Sequence, residues 1–212
     1  MNQATASTDA LASELLFSTP LFTQMVPQAA ELNAYLRELF LARERAEAQG
    51  NRTYSNVGGW HSPIDLQESW DPDLRLILER GRDLATEASN RLLDDAHRLQ
   101  PYHYTLSAWA NISRAGNYNV PHVHMATWAA VYYICVPPGC SHGQAGGLEL
   151  LDPRPATALL NMPGPFFATR RLIEPREGLL VLFPASIMHF VHPFQGPGER
   201  ISIACDLTFE PL

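Results

Sequence analysis

Hydrophobic and polar positions change their rhythm at about residue 100. Before it, apolar residues recur at helical intervals. After Pro27, AAELNAYLRELFLARERAEA sets Leu32, Leu36, Leu39 and Phe40 on one stripe, which predicts a helix over about 28–48 that ends near Gly50. A second helix is predicted over 71–99. Asp71 suits the N-cap, Pro72 the first helical position and Asp73 the positive end of the dipole. Its buried stripe is Leu74, Ile77, Leu78, Leu84, Ala88, Leu92 and Leu93. Upstream, the first dozen residues are small and polar and read as disordered, and LLFSTPLFTQMV (15–26) reads as an extended segment broken by Pro20. Between the helices, NRTYSNVGGWHS reads as a polar, glycine-bearing stretch.

From Pro101 onward, short runs rich in Tyr, Val, Ile, Phe and Trp alternate with Gly and Pro: YTLSAWANI, AAVYYICV, LELLD, GLLVLF and RISIACDLTF. Turn-separated runs of this kind predict an antiparallel sandwich or barrel. The expected architecture is one domain over 1–212, mainly β with flanking helices. Residues 1–100 supply an N-terminal strand and buttressing helices packed outside, and 101–212 the β-sandwich core. A chain of 212 residues fits one such domain and is short for two.

Composition removes several function classes. A net charge of −7 argues against a nucleic-acid backbone or an anionic membrane surface as partner. All 15 basic residues are arginine, so a lysine Schiff base or a lysine general base is ruled out. Cys135, Cys140 and Cys205 are an odd number without CxxC spacing, and read as reduced thiols. The N-terminus has neither a basic n-region nor a long apolar run, and no stretch approaches the roughly 20 apolar residues of a membrane span. These features together lead us to expect a cytoplasmic protein.

Three histidines carry the chemistry. PHVH sets His122 and His124 two apart, a spacing that puts both on one face of a strand. His189 follows the strand GLLVLFP and the short turn ASIM. Closing a sandwich brings the ends of two such strands together, giving three ligands on one face of a divalent metal and leaving the opposite positions open. Five residues, NYNVP, separate Gly116 from His122, and five, LLVLF, separate Gly178 from Pro184. These intervals resemble the two halves of the cupin, or double-stranded β-helix, motif. The glutamate usual after HxH and the glycine usual between proline and histidine are missing.

A narrower resemblance spans about residues 101–209. WANISRAGNYNVPHVHMATWAAVYYICVP, GGLELLDPR and GLLVLFPASIMHFVHPFQGPGERISI together resemble the 2-oxoglutarate/iron(II)-dependent oxygenases, especially a bacterial and phage branch carrying HxH. The resemblance implies a jelly-roll fold, iron(II) as metal and 2-oxoglutarate as cosubstrate of a dioxygenase. It makes His122 the first metal ligand and His189, in MHFVHP, the distal one. It implies that Arg200 and Ser202, in RIS, grip the far carboxylate of 2-oxoglutarate, and that the Tyr133 hydroxyl in VYYI reaches the same group. The broader superfamily has Asp or Glu two residues after the first histidine; here that position is His124. An imidazole there leaves the centre one charge more positive and lets zinc, nickel or copper compete better.

Other residues read more plainly. His192 falls on the opposite face of a regular strand from His189 and is expected outside the ligand set, while His61 cannot be placed from the sequence. Trp109, Trp128 and Phe183 read as core aromatics, and Asp152-Pro153-Arg154 as a turn. Two further functions stay open: a three-histidine cupin dioxygenase or isomerase without 2-oxoglutarate, and a non-catalytic metal-binding module. The expected partner is a small molecule or a protein side chain of unknown identity, and a homodimer is compatible with the sequence.

Overall fold

The computed structural model describes residues 18–47, 54–93, 103–140, 143–154 and 168–210. The expected disorder of the first dozen residues and the last turns of the second predicted helix (94–99) lie outside them.

Among the described residues, eleven strands form two antiparallel sheets. Six of them, β1 (Phe22–Met25), β3 (Trp60–His61), β4 (His103–Ser113), β6 (Trp128–Cys135), β9 (Leu179–Pro184) and β11 (Arg200–Glu210), pair in the order β1-β9-β6-β11-β4-β3. The other five, β2 (Asn56–Val57), β5 (Tyr118–His122), β7 (Leu148–Leu151), β8 (Arg170–Ile173) and β10 (His189–Val191), pair in the order β2-β5-β10-β7-β8. From β4 onward the chain crosses between the sheets at every connection but β7–β8, which is the winding of a double-stranded β-helix.

The two faces of the larger sheet have separate cores. Ile201, Ile203, Cys205 and Leu207 of β11 join Ala130, Tyr132 and Ile134 of β6 on the outer face, against the helices. Tyr133, Val181, Phe183, Leu148 and Leu150 fill the space between the sheets. Strand alternation alone produces this division, since successive residues point to opposite faces.

Both predicted helices form and lie on that outer face. Helix α1 (Ala29–Ala46) buries Leu36 and Phe40, with Leu32 and Leu39 packed partly against the core. Its buried Asn33 accepts a hydrogen bond from the Tyr132 hydroxyl at 2.6 Å. Helix α2 (Pro72–Leu92) is capped as predicted, with Asp71 accepting from the backbone N–H groups of Asp73 at 3.1 Å and Leu74 at 2.9 Å. Its stripe turns away earlier than predicted: Gly81 and Ala85 are buried, while Leu92 is 55% exposed.

Several short strands went unpredicted. β2 and β3 lie in the stretch read as polar linker, β5 contains Pro121, and β8 and β10 have four and three residues. Segments this short hold too few positions for a period to appear. The glycines that framed the histidine motif are both left-handed, Gly116 at φ 82° and Gly178 at φ 80°. At Gly178 a Cβ would also meet the Ala29 methyl at 2.9 Å, so the turn into β9 needs glycine on two counts.

Candidate active site

His122 and His189 are register partners across the β5–β10 ladder, and the ladder becomes irregular immediately after them. The sandwich therefore brings them together as neighbours within one sheet. His124 lies beyond the end of β5, so the strand periodicity that predicted its direction stops short of it. What fixes it is its backbone N–H, which donates to Ala185 O at 2.9 Å in the turn between β9 and β10. The ligand-capable atoms of the three histidines all lie within 4.8 Å of one another. Ring centroids are 4.2 Å apart for His122–His189, 5.0 Å for His122–His124 and 5.1 Å for His124–His189.

Every Nδ1 is already engaged. His122 donates to Val120 O and His189 to Ile187 O, each at 2.8 Å and each to the carbonyl two residues upstream. His124 Nδ1 lies 2.9 Å from Asp206 Oδ2. A carbonyl or carboxylate oxygen can only accept, so the proton sits on Nδ1 and the Nε2 lone pair is left for another partner. At His122 that lone pair faces the Ser55 hydroxyl at 3.3 Å. Burial, more than its neighbours' charges, pushes the His189 imidazole down to about 3 and lowers His122 in the same direction. Neutral imidazoles with oriented Nε2 lone pairs and outer hydrogen bonds on Nδ1 are what a first-row divalent metal requires. The donor set fits such an ion.

The three rings open into a cavity of about 560 Å³ between the sheets, whose wall includes Arg200, Ser202, Ala204 and Asp206 of β11. These alternate positions share the inward face of the strand, while Ile201, Ile203 and Leu207 point to the helices. Arg200 is only 2% exposed. Neither neighbouring acid, Glu199 or Asp206, forms an ion pair with it. Glu199 pairs with Arg37 at 3.1 Å, and Asp206 is taken by His124. Arg200 Nε and Tyr133 Oη are both buried without a hydrogen-bond partner among the described residues. A guanidinium desolvated to this degree without an anion is costly, and the cavity is where an anion can reach it. Tyr133 is fully buried and lies behind Arg200, outside the cavity wall, with the guanidinium carbon 5.0 Å from its ring centroid. Burial raises its phenol above the ordinary range, so it stays a neutral donor.

His61 turns out to belong to this region. It is buried in the cavity wall and lies nearly parallel to Trp109 at 5.7 Å, and Trp109 in turn lies nearly parallel to His124 at 5.6 Å. Phe183 meets His189 edge-on at 4.9 Å. Trp109 and Phe183, expected as ordinary core, thus pack against the site as well, whereas Trp128 packs toward α2, its indole N–H donating to Ser89 at 2.8 Å. His192 stays outside the cluster, where its Nε2 contacts the buried Glu149 carboxylate. Arg154 folds back on Asp152, closing the expected turn. Sequence reasoning missed Asp206 as a site residue. The period-two step from Arg200 and Ser202 through Ala204 would have reached it.

The family comparison converges on the same stretch. Residues 107–206 match the family model described as "Putative 2OG-Fe(II) oxygenase". Over that stretch the chain is similar to this oxygenase family. No curated protein sequence matches the chain. Among solved structures, a prolyl-4-hydroxylase from Pseudomonas putida is 19% identical with a TM-score of 0.59, covering 92% of this chain and 94% of its own. A Trichoplax adhaerens prolyl hydroxylase, in complex with a hypoxia inducible factor peptide, is 14% identical with a TM-score of 0.59, over 89% of this chain and 83% of its own. HygX from Streptomyces hygroscopicus, with nickel and 2-oxoglutarate bound, is 12% identical with a TM-score of 0.56, over 90% of this chain and 83% of its own. At these identities the likeness shows the shared fold. No helix among the described residues is long and apolar enough to cross a membrane.

Proposed function

We propose that this enzyme is an iron(II)- and 2-oxoglutarate-dependent oxygenase in which His122, His124 and His189 hold the metal through Nε2. Arg200, with Ser202 beside it, binds the far carboxylate of 2-oxoglutarate. One observation carries the reading: the guanidinium of Arg200, buried with no anion paired to it among the described residues, lines the same cavity as the three imidazoles. A three-histidine dioxygenase without 2-oxoglutarate, or a metal that only stiffens the sandwich, leaves that cation uncompensated. The nickel and 2-oxoglutarate recorded in HygX support the same cosubstrate for a shared fold.

Iron(II) held by His122, His124 and His189 would supply dioxygen activation coupled to oxidative decarboxylation of 2-oxoglutarate and hydroxylation of a C–H bond. The chain's own residues orient the reactants. Arg200 offers a fork of parallel N–H donors that a carboxylate fits, and the Ser202 hydroxyl is on the same strand face. Tyr133 backs the guanidinium from outside the cavity wall, its ring against the guanidinium carbon. Phe183, Val131 and Leu148 line the cavity beside the rings and keep bulk water from the reacting end. A small molecule or a protein side chain is the expected substrate, and the prolyl hydroxylases among the structural neighbours make a side chain a concrete option. A cytoplasmic location belongs to this reading, supported by three free cysteine thiols.

The test is turnover without added substrate. Protein loaded with iron(II) in air should convert 2-oxoglutarate slowly to succinate and carbon dioxide, and metal-free protein should not. Absence of succinate, together with no 2-oxoglutarate binding under anaerobic conditions, would remove the cosubstrate from the account.

A further inference from the structure

His124 differs from the other two imidazoles in what holds it. His122 and His189 donate to carbonyls of their own segments, but His124 lies against a carboxylate from the opposite sheet. Asp206 is the one acid in the described cavity wall. Its Oδ2 is 2.9 Å from His124 Nδ1, while Oδ1 is buried without a partner among the described residues. The side chains are 15% exposed for His124 and 23% for Asp206, so water screens the pair only in part. On β11 Asp206 shares a face with Arg200 and Ser202, opposite Ala129 of β6 and Ser107 of β4. Three neutral imidazoles bring no charge to a divalent ion.

We propose that Asp206 is a positioning residue of the metal centre: it fixes His124 with the proton on Nδ1 and places a negative charge behind that one ligand. This rests on the three-imidazole site proposed above. A carboxylate accepting from Nδ1–H aims the ring, excludes the tautomer that would protonate Nε2, and makes Nε2 a stronger donor. The single strand β11 then serves both ends of the cavity, with a cation at Arg200 for a dicarboxylate and an anion at Asp206 for the metal.

The test uses the full chain without metal, cobalt(II) as probe, and two variants. Long-range proton–nitrogen NMR of the imidazoles should show His124 as the Nδ1–H tautomer in wild type. Asp206→Ala should mix the tautomers and weaken cobalt(II) binding by about 10–100-fold. Asp206→Asn keeps an accepting oxygen in the same place, so it should keep the tautomer yet lose part of the affinity. That isosteric variant carries the test if the alanine variant does not fold. Variants that bind cobalt(II) like wild type would overturn the proposal. So would loss of all metal in Asp206→Ala with retention in His124→Ala, because Asp206 would then be a ligand itself. Wild type that takes up no cobalt(II) would instead sink the three-imidazole site, and this proposal with it.

Discussion

The two sheets contribute to the cavity in different ways. The five-stranded sheet supplies His122 and His189 from strands of five and three residues with an irregular register. The six-stranded sheet supplies Arg200, Ser202 and Asp206 from one strand of eleven residues, paired along its whole length with β4 and irregular only toward β6, between Ile201 and Ser202. Short strands cannot fix a side chain by register alone, and there each imidazole is pinned by a hydrogen bond to a nearby carbonyl. The long strand needs no such bonds. Its period of two sets charged and polar groups in a row, and the unbroken ladder with β4 holds them. The lesson is a division of labour, with local hydrogen bonding for the metal end and sheet register for the carboxylate end.

Breaking the metal end should have the largest effect. His122→Ala, His124→Ala and His189→Ala should each abolish stoichiometric metal, measured by elemental analysis, whereas His192→Ala should retain it. Full metal in His124→Ala would point to a different third ligand. At the other end, Arg200→Ala should weaken 2-oxoglutarate binding by about one to two orders of magnitude. A charge-assisted hydrogen bond to a desolvated carboxylate is worth roughly 1.5–3 kcal/mol. Arg200→Lys should recover part of that, because an ammonium lacks the fork.

Acid separates the ends in another way. In the metal-free protein His189 is held neutral down to about 3, against an ordinary imidazole value of 6.5. The unfolded chain therefore binds more protons between those values, and the folded state loses stability as pH falls through that window. Thermal unfolding of metal-free protein should show this decline, and His189→Ala should flatten it. An unchanged slope would mean that the buried imidazole is not its source. The smallest effects are expected at Ser202→Ala and Tyr133→Phe. Each removes one hydroxyl, worth about 0.5–1.5 kcal/mol, so 2-oxoglutarate binding should fall by roughly 2–10-fold without loss of metal.

The same contrast explains how much was legible in the sequence. The fold class, both helices, the Asp71 cap and all the long strands follow from period and capping, because these signals extend over many residues. HxH and the glycine frames marked His122 and His124, and His189 came from its place after a strong apolar strand. The structure brings those three together and puts Arg200 and Ser202 in the same cavity. The two-residue strands β2 and β3 were invisible, and with them the position of His61 in the wall. Asp206 was hidden for a different reason. Its partner His124 is 82 positions away, and only the closed sandwich makes them neighbours. Tyr133 shows the limit of a resemblance, which named the residue without revealing that it sits behind the guanidinium.

The central claim is that one cavity binds a metal at its imidazoles and a dicarboxylate at Arg200. It is tested most directly by anaerobic titration of the iron(II) protein with 2-oxoglutarate, following the visible charge-transfer band of a chelated 2-oxo acid, in wild type and Arg200→Ala of equal metal content. The account predicts a saturable band in wild type and a midpoint shifted upward about 10–100-fold in the variant. Identical titrations, or no band in either protein, would contradict it.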